Sequence, residues 1–423
     1  MDFAYSAKVD ALREKLQAFM DAHLQPADAQ WRHEVEAGRY PTALIDGLKE
    51  KAKAEGLWNL FLPALRPDEP GTRLSNLEYA PLAEIMGRIF WSSEVFNCNA
   101  PDTGNMEILH MFATPEQRER WLVPLMNGEI RSCVGITEPG VASSDPTNLQ
   151  TTITRDGDDY VINGRKWWTT GALHPKAKFC IVMGLSDTSP DANPHKRHSM
   201  IIVPLDTPGV TIMRNLPLLN HFSPEGHTET DFDQVRVPAS NMLGQEGEGF
   251  ALAQARLGPG RIHHCMRSIG QCEVALELMI ERALQREAFG RKIGDYANVQ
   301  DWIAEGRMEI DQARLLCLRA AWMMDTQGNK AARTEVSAIK VAATRLQTKI
   351  ADRAMQVFGA GGLSNDTPLA FIYSWGRALR FIDGPDEVHL RTIARAEIKK
   401  RQQSNRSTFD EQGVLRPYIK PAV

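Results

Sequence analysis

The spacing of apolar residues switches twice along this chain, and each switch changes the kind of element the segment can form. Near the start, Ala11, Leu12, Leu16 and Phe19 recur on one helical face, and Ile45, Leu48 and Ala52 mark a second helix. Thr114, Pro115 and Gln117 supply an N-cap hydroxyl, a proline at the first helical position and a glutamine at the third, which predicts a helix running through Trp121. From about Arg131 short β-rich runs take over, at Thr151 to Thr154, Tyr160 to Ile162, Phe179 to Val182, Met200 to Val203 and Thr230 to Val237. Polar turns separate them at the intervals of an antiparallel sandwich or barrel. From about Gly247 the helical period returns. Ile262, Met266, Ile269, Leu276, Ile280 and Leu284 form one stripe, Ile310, Ala313, Cys317, Ala320 and Met324 a second, and Ile339, Ala343, Leu346, Ile350, Ala354 and Val357 a third. With a shorter fourth helix after Ser374, these predict a bundle.

The fold expected is therefore α+β and mostly α: an N-terminal helical domain (1–130), a middle antiparallel β-domain (131–245), a C-terminal four-helix bundle (246–402) and an extended tail (403–423). A length of 423 residues also asks for two or three domains. Lys plus Arg is 49 against 53 for Asp plus Glu, a net charge of −4 with no long block of one sign, so no nucleic-acid partner is expected. The longest apolar runs fall far short of the roughly 20 residues of a membrane span, so no membrane partner is expected either. The six cysteines are scattered without a CxxC pair, which predicts no metal site and the reduced thiols of a cytoplasmic protein. The first residues carry neither a secretory nor a transit signal.

Four segments carry candidate chemistry. Ile136-Thr137-Glu138-Pro139-Gly140, followed by Ala142-Ser143-Ser144-Asp145, is a strand end entering a turn rich in hydroxyls and backbone donors; such a turn receives a planar heterocycle or a phosphate, or simply ends a strand. Asn163-Gly164-Arg165-Lys166 reads as a hairpin turn before the tandem Trp167 and Trp168, whose rings a strand sends to opposite faces, one to the core and one over a ligand, unless both only pack. Gln356 to Gly362 ends a long helix in glycines, which cap it or admit a ligand. Asp383-Gly384-Pro385-Asp386-Glu387 sets three carboxylates at a Gly-Pro turn, ordinarily a solvated loop.

Taken in order with Arg286-Glu287-Ala288-Phe289-Gly290, these segments resemble the acyl-CoA dehydrogenase family over nearly the whole chain, to about Glu397. Val141 to Asp145, Leu257 to Arg261 and Asp383 to His389 are closer to the branch containing family members 10 and 11. The resemblance implies an FAD enzyme that oxidises an acyl-CoA to the trans-2-enoyl-CoA, with a carboxylate removing the α-proton, hydride passing to flavin N5, and electrons leaving to an electron-transfer flavoprotein. It implies ring contacts from Ile136, Thr137, Ser143, Trp168 and Thr170, with Pro385 and Glu387 also at the cofactor. Arg286, Phe289, Gln356, Gly359 and Ala360 correspond to contacts on the adenosine and pyrophosphate across a dimer interface, hence a homodimer or homotetramer. Ser143, Arg261 and Gly384 correspond to contacts on the CoA thioester and its arm.

The sequence departs from the family at the base, where most members carry Glu and this chain carries Asp383. The alternative position, just before the CoA-binding arginine, holds Gly260, so the resemblance assigns the base to Asp383, with a pKa expected to be raised by burial. A glutamine that many members carry eight residues after the phenylalanine is Ala297 here, the nearest being Gln300. Arg261 is expected at the start of a helix, after an interruption at Leu257 to Gly260. Two other readings stay open: a flavin oxidase or monooxygenase on the same fold, and a non-catalytic acyl-CoA-binding protein.

Overall fold

The computed structural model describes residues 4–404, 408, 409, 413 and 415. The sequence reading of a tail over 403–423 falls mostly outside them. The N-terminal part is built from α1 (Ala7–Phe19), α2 (Gln25–Glu36), α3 (Thr42–Ala54), α4 (Asn76–Gly87), α5 (Ser92–Val95), α6 (Asp102–Phe112), α7 (Pro115–Gln117) and α8 (Val123–Met126). The start signal at Thr114 forms as written: its hydroxyl accepts from the Gln117 N–H and the Gln117 side chain returns to the Thr114 N–H.

Strands β1 (Arg131–Gly135), β2 (Thr152–Asp156), β3 (Asp159–Thr170), β4 (Ala177–Leu185), β5 (His198–Pro204), β6 (Val210–Asn215), β7 (His227–Pro238) and β8 (Met242–Leu243) form one sheet in the order β6-β7-β3-β2-β4-β5-β8, with β1 beside β4. The sheet is not purely antiparallel as the turn spacing suggests, because β1 runs parallel to β4 and β2 meets β4 in parallel at one residue pair. The expected hairpin at Asn163–Gly164 is also absent. Instead β3 continues past Gly164 along the full length of β7, with bulges between Ile162 and Gly164 and between Lys166 and Thr169. Gly164 sits at φ +148°, where an added Cβ would lie 2.5 Å from Thr151 Oγ1.

The bundle consists of α9 (Gly249–Gln285), α10 (Ala297–Gln327), α11 (Arg333–Phe358), α12 (Leu369–Leu379) and α13 (Asp386–Gln402). The final helical stretch is thus two helices, the first starting before Ser374. Contrary to the sequence reading, α9 is unbroken through Leu257 to Gly260, and Arg261 lies inside it. Its flanking turns bury Leu252 and Ala253 on one side and Ile262, Cys265 and Met266 on the other, so packing overrides the local helix-breaking preference.

Strand β4 shows how the parts are joined. Phe179, Ile181 and Met183 face a core shared with both helical regions, while Cys180 and Val182 face the sheet's own core. On β5, Met200 and Ile202 join the first core and Ile201 and Val203 the second. Each of the larger apolar side chains contributes roughly 1.5–3 kcal/mol by burial, so strand alternation helps to fix the sheet against the helices. Among the described residues no helix is long and apolar enough to cross a membrane.

Candidate active site

The turn after β1 is pinned from beneath by a buried ion pair. Lys166 Nζ lies 2.7 Å from Glu138 Oε1 and 3.1 Å from the Ile136 carbonyl, and Glu138 also accepts the backbone N–H groups of Gln150 and Thr151. Burial pushes the Lys166 amine down to about 8, against the pull of Glu138. Burial alone would raise the Glu138 carboxyl, but Lys166 and the Gln150 N–H hold it below its ordinary value. Ser143 Oγ accepts from the Glu138 N–H at 2.9 Å, and the Thr137 carbonyl accepts from the Trp167 N–H at 2.9 Å. Ile136, Thr137 and Ser143 are thereby held in one rigid turn.

Trp168 stands on the second bulge of β3 at φ +54° and is 41% exposed, while the Trp167 indole N–H is buried without a partner among the described residues. The Trp168 ring leans on Trp167 and His227, at 6.3 and 5.9 Å between centroids, and leaves one side open on a strained backbone, where a planar ligand could lie. Beside it, Thr170 Oγ1 is 3.0 Å from Nδ1 of His227, whose imidazole burial pushes down to about 4. His227 stacks on Trp375 of α12, 6.4 Å between ring centroids, which sets this patch against the helix that leads into Asp383.

Asp383 also has a left-handed backbone, at φ +57°, next to Gly384 at φ +104°. Its carbonyl oxygen accepts from Arg261 Nε and Nη2 at 3.2 and 3.1 Å and from His389 Nε2 at 3.2 Å. Arg261 is therefore first a clamp on this loop. A side chain after Asp383 would be strained by the φ of +104° there, and its Cβ would lie 3.1 Å from His389 Nε2. The Asp383 side chain is 13% exposed, with Oδ2 3.7 Å from His264 Nε2. Burial pushes its carboxyl up, but His264, Arg261, Arg256 and Lys340 together outweigh that and hold it below the ordinary value. The expected rise is thus reversed. The sequence reading counted burial and missed the charges of Arg256, Arg261 and Lys340, the cations supplied by α9 and α11. The three acids of this turn have separate fates: Asp386 is buried between Arg345 and Arg380, at 2.8 and 2.9 Å, whereas Glu387 is exposed and Pro385 caps α13.

A third group lies at the far end of α9 and α11. A hairpin of β9 (Glu287–Ala288) and β10 (Arg291–Lys292) carries Phe289 at its tip, 99% exposed and at φ +50°. Gly359, at φ +65°, ends α11, and Arg286, Gln356, Gly359 and Ala360 are all exposed. The two helix ends adjoin, with the Arg282 guanidinium 5.4 Å from the Phe358 ring centroid. Gln300 is occupied locally, donating to the Gly294 carbonyl at 2.9 Å.

The structure thus gathers Ile136, Thr137, Ser143, Trp168 and Thr170 into one patch, Asp383, Gly384 and Arg261 into a second, and Arg286, Phe289, Gln356, Gly359 and Ala360 into a third. The charged and titratable lining was missed. Arg256 donates to Asn105 Oδ1 at 2.9 Å and to the Pro101 carbonyl at 3.2 Å, binding α9 to α6. Glu107 of α6 is buried with neither carboxyl oxygen hydrogen-bonded among the described residues, and burial pushes it well above its ordinary value against the field of Arg256. No spacing in the sequence links these residues to Asp383; helix packing alone does.

A chain of helical, β and helical parts, with this turn, this tryptophan and this loop carboxylate in order, belongs to the acyl-CoA dehydrogenase family. Family models of the N-terminal, middle and C-terminal acyl-CoA dehydrogenase domains match residues 6–129, 133–235 and 247–398. The chain is 56% identical over 412 residues to a Mycobacterium tuberculosis protein named "Probable acyl-CoA dehydrogenase FadE2", covering 96% of this chain and 98% of that one. It is 52% identical over 405 residues to acyl-CoA dehydrogenase family member 11 of Gallus gallus, covering 94% of this chain but only 51% of the relative. A solved Mycobacterium abscessus structure assigned to the acyl-CoA dehydrogenases superposes with a TM-score of 0.89 at 49% identity, covering 94% of this chain and all of that one.

Proposed function

We propose that this chain is an FAD-dependent acyl-CoA dehydrogenase in which Asp383 removes the α-proton of an acyl-CoA thioester to give the trans-2-enoyl-CoA. The observation that carries the reading is a loop carboxylate kept ionised by surrounding cations, on a strained backbone clamped by Arg261. A planar cofactor fits the patch beside it, because Trp168 is exposed on a bulge and a rigid turn presents Thr137 and Ser143. FAD, when bound, supplies the two-electron acceptor for the β-hydride. Ile136, Thr137, Ser143, Trp168 and Thr170 would hold its ring, with Pro385 and Glu387 nearby. Arg286, Phe289, Gln356, Gly359 and Ala360 would hold the adenosine end of the FAD bound by a second copy, in a homodimer or a homotetramer built from two. Ser143, Gly384 and Arg261, which keeps Nη1 after clamping the loop, would receive the CoA thioester and arm.

Electrons then leave to an electron-transfer flavoprotein rather than to oxygen. Six free, buried cysteines suit a reducing compartment such as the cytoplasm. The test is anaerobic addition of a panel of acyl-CoAs to the yellow protein: bleaching with 2-enoyl-CoA formation is expected, and peroxide release in air would instead make it an oxidase.

Two variants probe the parts. Gly384→Ala should slow bleaching roughly 10- to 100-fold, the equivalent of about 1–3 kcal/mol of backbone strain displacing Asp383; an unchanged rate would show that the loop tolerates the Cβ. Phe289→Ala should weaken FAD retention about tenfold, read as the flavin-to-protein ratio after gel filtration, since its ring has no packing role within the chain.

A further inference from the structure

An aspartate doing a base's work one methylene short of glutamate needs its carboxylate aimed, and α9 supplies an aiming group. His264 Nε2 lies 3.7 Å from Asp383 Oδ2, one small side-chain rotation from a hydrogen bond. Its other nitrogen, Nδ1, lies 3.4 Å from Arg267 Nη2. A guanidinium only donates, so Nδ1 is the acceptor and the proton of a neutral imidazole resides on Nε2, toward Asp383. Arg267 is itself fixed, donating to the Cys98 carbonyl at 3.0 Å where α9 and α4 meet closely: a Cβ on Gly87 would lie 2.2 Å from the Arg267 carbonyl oxygen. Burial and Arg267 push the His264 imidazole down to about 3, so it is neutral at working pH.

We propose that His264 is a positioning residue for Asp383: held by Arg267 as the Nε2–H tautomer, it presents its single donor to the carboxylate, fixes its orientation and keeps it ionised. The proposal rests on the reading of Asp383 as the base. His264 does not take the α-proton; its donor sets how basic the carboxylate is. The other groups facing this pair are Arg256, Arg261 and Arg267 on α9, Lys340 on α11, and His389 on α13. His389 donates to the Asp383 carbonyl and is pushed down to about 4 by burial, so the arginines and Lys340 are the charged groups there.

The test uses holoenzyme labelled with 13C at the aspartate carboxyls, the Asp383 resonance being the one lost in Asp383→Asn. His264→Leu should raise the Asp383 titration midpoint by about one pH unit, because a donor favouring the ionised form is gone. His264→Gln, whose amide places an N–H near the same point, should leave it close to wild type. An unchanged midpoint in the Leu variant, or equal shifts in both, would overturn the proposal. In unmutated protein, 15N shifts must show the Nε2–H tautomer of His264, and the Nδ1–H form would overturn it as well. The acid limb of the bleaching rate should move with the midpoint; a midpoint that moves while the limb stays fixed would keep the positioning role and reject Asp383 as the base.

Discussion

Asp383→Asn protein should purify yellow, keep its FAD stoichiometry, and bleach with acyl-CoA at least about 10³-fold more slowly than wild type, the size of effect a lost general base produces. Asparagine preserves the shape of the side chain and can occupy the same left-handed backbone, so the loop held by Arg261 and His389 should persist. What disappears is the carboxylate assigned to accept the α-proton. Of the neighbouring buried acids, Glu107 is pushed well above its ordinary value by burial, and Asp386 is committed to Arg345 and Arg380. Asp383→Glu should retain bleaching, since it restores the longer carboxylate at the same position. Stopped-flow absorbance under anaerobic conditions checks both, and normal bleaching in Asp383→Asn would remove Asp383 from the chemistry.

The largest effect on stability is expected at Arg131, the first residue of β1 and only 1% exposed. Its guanidinium pairs with Glu94 at 2.6 Å and with Asp102, and approaches Glu225 at 4.0 Å. Glu94 in turn holds Lys49 at 3.0 Å, His174 at 3.2 Å and the Tyr40 hydroxyl, so the cluster ties the N-terminal helices to the β-sheet. Arg131→Met would leave two buried carboxylates without their main counter-charge, a loss of about 3–5 kcal/mol. That is a large share of the roughly 5–15 kcal/mol by which folded proteins are stable. A thermal melt should show Tm falling by about 3–6 °C; a Tm within about 1 °C of wild type would mean that the cluster's desolvation cancels its pairing.

Much of this architecture was legible in the residues. The capping signal at Thr114, the alternation along β4 and the long apolar stripes of α9, α10 and α11 are local patterns, and local patterns survive folding when packing agrees with them. The candidate turn, tryptophan pair and acidic loop were also visible as segments. Three things were not. The bulge that swings Trp168 outward is a register shift against β7, between Lys166 opposite Thr230 and Thr169 opposite Thr228, which no property of residues 163–170 reveals. The continuity of α9 past Leu257 to Gly260 is decided by the surfaces its two halves bury. The charge state of Asp383 is set by Arg256, Arg261 and Lys340, which lie between 43 and 127 positions away in the chain and arrive only through helix packing.

The central claim is that this chain dehydrogenates an acyl-CoA with FAD as its oxidant. Anaerobic titration of the purified yellow protein with saturated acyl-CoAs of graded length tests it most directly. Stoichiometric bleaching and 2-enoyl-CoA formation are expected with at least one of them, both lost in Asp383→Asn. Flavin-loaded wild-type protein that bleaches with none of them would contradict it.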